Sequence, residues 1–145
     1  MEATGYEKDF YSWAMQNAAL LRERRLQEID TENIAEELEA MGKKERRELI
    51  SRLSVLIAHL LKWPYQAVRR SRSWKNTVST QRIDINELFE DSPSLRHGLG
   101  ETIKKAYKKA VLKAEDETGI AKEQFPGNCP FSAEEILNED FFPQE

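Results

Sequence analysis

The stretch that decides the fold extends from Thr31 to Trp63 and reads TENIAEELEAMGKKERRELISRLSVLIAHLLKW. Its apolar residues recur mostly every three or four positions, the period of one face of an α-helix. These residues are Ile34, Leu38, Met41, Leu49, Leu53, Leu56, Leu60 and Trp63. The spacing predicts a long helix of about nine turns, which Gly42 would weaken by about 1 kcal/mol relative to alanine and which Pro64 should end. Whether the helix continues across Gly42 is left open at this point.

Three further helical patterns flank this long helix. An apolar stripe before it predicts a first helix over about Tyr6–Arg24. After Pro64, similar stripes predict a third helix from about Ser73 to Phe89 and a fourth over Leu95–Ala114. Gly119 follows as the residue that should end the fourth helix.

The last part of the chain has the pattern of an extended tail. Ser132 with Glu135 three residues later is a capping-box pattern, which predicts a short helical turn within that tail. The fold class is therefore all-α: a compact bundle of about four helices with a long second helix, plus an extended C-terminal tail ending in a short helical turn. The 145 residues fit a single helical domain, 1–145, in which residues 1–5 should be loose and residues 120–145 should pack on the bundle.

The cysteine count and the hydropathy indicate a compartment. The single Cys129 excludes an internal disulfide framework, which fits a reducing environment. The longest apolar stretch, Val55–Leu61, is far too short to cross a bilayer, and the N-terminus lacks the layout of a signal peptide. We expect a cytoplasmic protein without a membrane partner.

Charge is unevenly distributed along a chain whose net charge is −4. Residues 27–40 carry six acids and no base, while residues 49–83 carry seven bases and no acid. Within the basic part, cations alternate with aromatic residues between Lys62 and Lys75. Candidate residues for binding a partner or a nucleic acid are Lys62, Trp63, Tyr65, Gln66, Arg69, Arg70, Arg72, Trp74 and Lys75.

Two interpretations of that segment compete. Lys and Arg attract phosphates and aromatic rings stack on bases, so the composition suits a single-stranded nucleic acid. Alternatively, Trp63 and Trp74 face the core and the arginines pair with the acidic block. The negative net charge favours the second interpretation.

His59 is the residue that most suggests chemistry. Together with carboxylates from another helix it could bind a metal ion, as in some helical bundles. However, neither His59 nor His97 follows an acid at the Glu-x-x-His spacing. We therefore predict a histidine at the edge of the core, hydrogen-bonded to a carboxylate or a backbone group, and we expect no metal and no cofactor.

Several short blocks resemble a known family. They are Asp9-Phe10-Tyr11-Ser12-Trp13, Asp30-x-x-Asn33-Ile34-Ala35-Glu36-Glu37-Leu38, Met41-Gly42, His59-Leu60-Leu61-Lys62-Trp63 with Gln66, Ser73-Trp74, and Ser92-Pro93-Ser94-Leu95. Together they cover nearly the whole chain, which is similar to a bacterial family of helical proteins, domain of unknown function 29. The resemblance implies an all-helical cytoplasmic domain and no particular activity.

The resemblance draws attention to polar residues that packing alone would not require. Asp30, Asn33, Glu36, Glu37 and His59 fall within its blocks and form either a polar network that fixes helix register or a binding site. Catalytic motifs are missing, and Trp and Tyr are residue types enriched at interfaces. The leading hypothesis is a non-enzymatic protein-interaction or regulatory bundle that binds another protein or itself. The alternatives are nucleic-acid binding through residues 62–75 and a metal-dependent bundle enzyme centred on His59.

Overall fold

A computed structural model describes residues 5–65 and 72–143. The described chain contains no strand and confirms the all-α fold. Its α-helices are α1 (Gly5–Lys8), α2 (Phe10–Arg22), α3 (Thr31–Lys62), α4 (Arg72–Asp91), α5 (Leu99–Thr118) and α6 (Ala133–Leu137). Four of them are long, as the sequence predicted. Every helix of the described residues is too short or too polar to span a membrane.

The chain divides into two units, Met1–Lys44 and Glu45–Glu145. Unit 1 contains α1, α2 and the N-terminal part of α3, and unit 2 contains the rest of α3 together with α4, α5 and α6. The prediction of a single domain over residues 1–145 stays a prediction.

The first predicted helix is split in two. Residues 1–5 were expected to be loose, but Gly5 is the first residue of α1. Residues 1–4 lie outside the described part of the chain. Asp9 interrupts the helix because its extended backbone places the side chain as an N-cap, where it accepts the Ser12 N–H at 3.1 Å. A continuous helix over Tyr6–Arg24 was therefore wrong at Asp9.

α3 continues through Gly42 and ends at Lys62, where the 3₁₀ turn Trp63–Tyr65 contains Pro64. The termination predicted at Pro64 is confirmed, because the ring disfavours helical geometry in the preceding residue. The apolar face predicted for this helix, from Ile34 to Trp63, is buried only in part. Its C-terminal part is buried, whereas Leu38 and Met41 in its N-terminal part are 60% and 58% exposed.

Unit 2 carries the hydrophobic core. The leucines of α3 at positions 49, 53, 56 and 60 join Val78 and Ile85 of α4 in one buried cluster. The alanines of α5, at positions 106, 110 and 114, are fully buried and allow close packing. α5 ends where Gly119 adopts a left-handed conformation (φ 77°), as predicted.

The tail after α5 is held by apolar and polar contacts. Phe125 and Ile136 belong to the buried cluster. α6 starts with the predicted capping box, in which the Ser132 hydroxyl accepts the Glu135 N–H and the Glu135 carboxylate accepts the Ser132 N–H.

The buried guanidinium of Arg82 also ties the tail to α4. Arg82 is only 1% exposed, and it donates hydrogen bonds to four backbone carbonyls, those of residues 135, 136, 139 and 141. Two of these carbonyls, those of residues 135 and 136, belong to the last turn of α6, where carbonyls have no partners within the helix. One base of the acid-free stretch 49–83 is therefore buried.

Candidate functional site

The polar residues at the start of α3 form a network inside unit 1. Asp30 Oδ2 accepts the indole N–H of Trp13 at 2.9 Å and the side-chain amide of Asn33 at 2.8 Å. The Asn33 backbone N–H donates to Asp30 Oδ1, with 3.4 Å between nitrogen and oxygen, so Asp30 caps the start of α3. Hydrogen bonds from Asn33 and then Trp13 hold the pKa of Asp30 below its usual value.

Asn17 completes this network from α2. It is buried, its side-chain amide donates to the Trp13 carbonyl at 3.0 Å, and its side-chain oxygen accepts the Asp30 N–H at 2.8 Å. A buried amide whose donor and acceptor are both used fixes how the two helices pair. The network explains Asp30 and Asn33 as structural residues.

Glu36 and Glu37 have different surroundings. Glu37 accepts the hydroxyl hydrogen of Tyr6 at 2.8 Å, and this bond raises the pKa of Tyr6. Glu36 is exposed. Of these two acids, Glu37 therefore connects α1 to α3, whereas Glu36 is exposed to solvent.

His59 lies in unit 2 and has the backbone hydrogen bond that the sequence predicted. Its Nδ1 is 2.9 Å from the Val55 carbonyl, and its ring meets Trp74 edge-on with 5.8 Å between centroids. Burial, with a smaller effect from Lys62, lowers the pKa of His59. Within the part of the chain that the structure describes, no three His, Cys, Asp or Glu side chains group as metal ligands would.

Within the basic aromatic segment, four described residues, at positions 62, 63, 65 and 74, make intramolecular contacts. Lys62 is buried, forms an ion pair with Glu117 and places its ammonium 5.0 Å from the centre of a Trp74 ring. Trp63 and Trp74 are buried, which confirms the interpretation that both face the core. Tyr65 is half exposed and packs edge-on against Phe125.

Buried indole rings are not accessible for stacking on bases. Arg72 and Lys75 are exposed at the start of α4, while Gln66, Arg69 and Arg70 lie outside the described residues. Nucleic-acid binding through this segment stays a prediction. Among the described residues it would depend on Tyr65, Arg72 and Lys75.

Another base of the acid-free stretch is used within unit 2. Arg52 contacts Glu48 of its own helix at 3.0 Å and Asp84 of α4 at 2.8 Å. The charges of Arg52 and Lys62 are each balanced by carboxylates of unit 2, and Arg82 is buried. Three of the seven bases of residues 49–83 are therefore engaged within unit 2. The expectation that the arginines pair with the acidic residues 27–40 was wrong for Arg52 and Arg82, whose partners lie elsewhere.

Sequence reasoning missed an apolar surface on unit 1. Among its described residues only Trp13 and Asn17 are buried, whereas several large apolar side chains are exposed. These are Phe10, Tyr11, Met15, Leu21, Leu26, Leu38 and Met41. The stripe that contains Leu38 and Met41 was visible in the sequence as part of one apolar helix face, but its exposure was not predicted.

The polar network and the exposed apolar side chains fall within a region that one family model matches. Residues 5–142 match the model described as Domain of unknown function DUF29. The chain belongs to the DUF29 family. The match extends across both units of this DUF29 chain and confirms the resemblance seen in its motif blocks. Neither the curated proteins nor the solved structures gave a match to it.

Proposed function

We propose that this DUF29 chain is a non-enzymatic protein-interaction module that binds its partner through the exposed apolar side chains of unit 1. The observation that carries the proposal is the contrast in unit 1, where only two described residues are buried and seven large apolar side chains are exposed. Large apolar areas on a protein surface are typical of interaction sites.

The arrangement of these side chains suits a helical interface. On α3, Leu38 and Met41 are three positions apart and share one face. On α2, Phe10 lies beside the buried side of the helix, whereas Tyr11 and Met15 lie on the opposite, exposed side. Aromatic and methionine side chains supply much contact area, and methionine adapts to the shape of a partner.

The contacts of the motif residues support a structural role for them. Asp30 and Asn33 are engaged with Trp13 and Asn17, and Glu37 with Tyr6. This network holds α2 against the start of α3 and so presents the apolar side chains on a fixed pair of helices. We place this function in the bacterial cytoplasm, a setting that suits a single, half-buried cysteine.

A tagged pull-down from native cells, with nuclease present, tests the proposal. We expect a protein in stoichiometric amount, either a different protein or an untagged copy of the same chain. The variant Leu38→Glu with Met41→Glu should lose it, because a carboxylate on an apolar interface is left desolvated. Leu112→Glu is the matched control, since Leu112 of α5 is exposed to a similar extent.

Circular dichroism and thermal melting must show that these variants fold like the wild type, as exposed positions should allow. If the double variant retains every protein that the wild type retains, or if the wild type retains none, unit 1 is not the interaction surface. Recovery dominated by nucleic acid in the absence of nuclease would instead favour the basic segment.

A further inference from the structure

The helix α5 carries a second acid-free stretch of the chain. Residues 102–114 contain five lysines and no acid. Lys104 is paired with Glu101 at 3.4 Å, but Lys105 and Lys108 are exposed and form no ion pair with any residue that the structure describes. The charges of these two lysines are therefore available to an anion from outside the chain.

A groove lies beside these lysines, between α5 and the segment that follows it. Two hydrogen bonds align that segment antiparallel to the helix: the Lys122 N–H donates to Glu115 Oε2 at 2.7 Å, and the Tyr107 hydroxyl donates to the Pro126 carbonyl. The distance along α5 between these two contacts, eight residues, is about 12 Å. We call this the α5 groove, and its main lining residues are Lys108, Val111, Leu112, Lys122, Phe125 and Pro126.

The size of the α5 groove and its apolar middle suit a small ligand. Its volume is about 560 Å³, within the range of about 300 to 1,000 Å³ that is common for ligand clefts. Val111 is half-buried and Leu112 is 53% exposed, while Phe125 is buried and packs edge-on against Tyr65. An apolar chain that covered Val111 and Leu112 would remove both from water, which is favourable.

The two ends of the α5 groove carry different charges. Lys108 lines one end, and Lys105 lies one turn away from it on the same side of α5. At the other end Lys122 is accompanied by two carboxylates, those of Glu115, which accepts its N–H, and of Glu123. An anionic group is therefore favoured at the end of Lys105 and Lys108.

We propose that the α5 groove binds a free medium-chain carboxylic acid, with its carboxylate between Lys105 and Lys108 and its chain on Val111 and Leu112. Lysine stems can lie along an apolar chain while their ammonium groups contact the carboxylate. A protein partner fits less well, because only nine residues line the groove, whereas a standard interface uses about 20 to 30 residues on each side. The site lies within unit 2 and is independent of the function proposed for unit 1.

Titration of decanoate into the full chain, followed by calorimetry and by amide NMR shifts, tests the proposal. We expect a dissociation constant on the order of 0.1 mM and shifts centred on Val111, Leu112 and Gly127. Octanoate should bind about fourfold to tenfold more weakly, because it buries two methylene groups fewer. Acetate, which lacks the chain, and decyltrimethylammonium, which carries the opposite charge, should each bind at least about tenfold more weakly than decanoate.

A charge reversal at the anionic end should remove the attraction. Lys108→Glu should weaken decanoate binding at least about tenfold. Lys113→Glu is the matched control, because Lys113 is an exposed lysine of the same stretch that lies five positions, or about 140°, further around the helix. It should change the affinity by about twofold or less. Circular dichroism must show that both variants fold like the wild type, as exposed positions should allow.

Three results would overturn the proposal: no binding of decanoate, equal binding to Lys108→Glu and Lys113→Glu, or amide shifts centred on Leu38 and Met41 of unit 1. Equal affinity for decyltrimethylammonium would do so as well, since it would leave the lysines without a role. The function proposed for unit 1 is tested separately. Leu38→Glu with Met41→Glu should lose the protein partner and still bind decanoate, whereas Leu112→Glu should keep the partner and bind decanoate weakly.

Discussion

Arg82 Nε donates a hydrogen bond to the carbonyl oxygen of Ile136 at 2.8 Å, across 54 positions of sequence. The same guanidinium reaches three further carbonyls of the tail, and the side chain is almost completely buried. The planar guanidinium therefore donates to carbonyls at and after the end of α6 that would otherwise bond to water, and it holds the tail against α4.

Arg82→Ala should lower the free energy of unfolding by on the order of 3 kcal/mol, because it leaves buried carbonyls without donors and removes packed atoms. Arg82→Lys should recover only part of this loss, since an ammonium cannot reproduce the fork. Urea denaturation measures the loss, and limited proteolysis should cut the tail of the alanine variant first. Arg47→Ala, at an exposed position, is the control. A tail equally resistant in all variants would contradict this role.

Substitutions of Lys62 and of Glu117 should lower the free energy of unfolding by different amounts. The side chain of Lys62 is 9% exposed and that of Glu117 is 48% exposed. Glu117→Gln leaves a buried ammonium without its carboxylate and should cost about 1 to 2 kcal/mol, less than for a fully buried pair. Lys62→Met should cost less, because it keeps an apolar chain beside Trp74 and leaves Glu117 to the solvent.

Urea denaturation of both variants measures this asymmetry, with Asp116→Asn as a control next to Glu117 at an exposed position. A larger loss for Lys62→Met than for Glu117→Gln would contradict this, because it would show that other contacts of the Lys62 side chain, such as that with Trp74, outweigh the cost of an unpaired buried ammonium.

Helical periodicity predicted which residues share a face but not what covers that face. Leu49, Leu53, Leu56 and Leu60 follow the predicted seam and are buried by other elements of unit 2. Leu38 continues the same pattern and is exposed. A repeat of three and four residues is a local property, whereas burial depends on which other segment arrives, so the sequence could not separate the two halves of the seam.

The prediction of the candidate site failed for the same reason, because it could not include contacts between residues far apart in sequence. Lys62 pairs with Glu117, and Arg82 binds the tail, each more than fifty positions away, so neither contact has a local signature. In the sequence both residues belonged to the basic stretch 49–83, and only Lys62 was a candidate for binding a partner or a nucleic acid. One signal was available for Arg82: it stands four positions after Val78 and three before Ile85, on the buried stripe of α4. The capping box of Ser132 and Glu135, by contrast, was predicted correctly, because capping depends on residues close in sequence.

The free energy of unfolding should decrease as the pH falls below neutral, because of His59. Its pKa in the folded protein lies below the ordinary value of 6.5, chiefly because burial disfavours the charged ring. Below about pH 6.5 the unfolded chain therefore binds more protons at this position than the native chain. The contribution of His59 is complete above that pH and is lost as the pH falls toward the folded pKa.

The drop in urea midpoint between about pH 7.5 and about pH 5.5 measures this effect. His59→Gln should show a smaller drop than the wild type, whatever its stability at neutral pH. His97→Gln is the control, because His97 is exposed and is the only other histidine of the chain. Identical drops in the wild type and His59→Gln would rule out the contribution.

Gly42 and Gly119 should respond in opposite directions to alanine. Gly42 lies inside α3 with helical geometry and open space around it, so Gly42→Ala should stabilise the protein by about 1 kcal/mol. Gly119 has φ 77°, a conformation that a Cβ strains, so Gly119→Ala should destabilise the protein by about 1 kcal/mol. Urea denaturation measures both. A loss of stability in Gly42→Ala would show that the helix is not regular at this residue, since an unstrained helical position with room for a methyl group favours alanine.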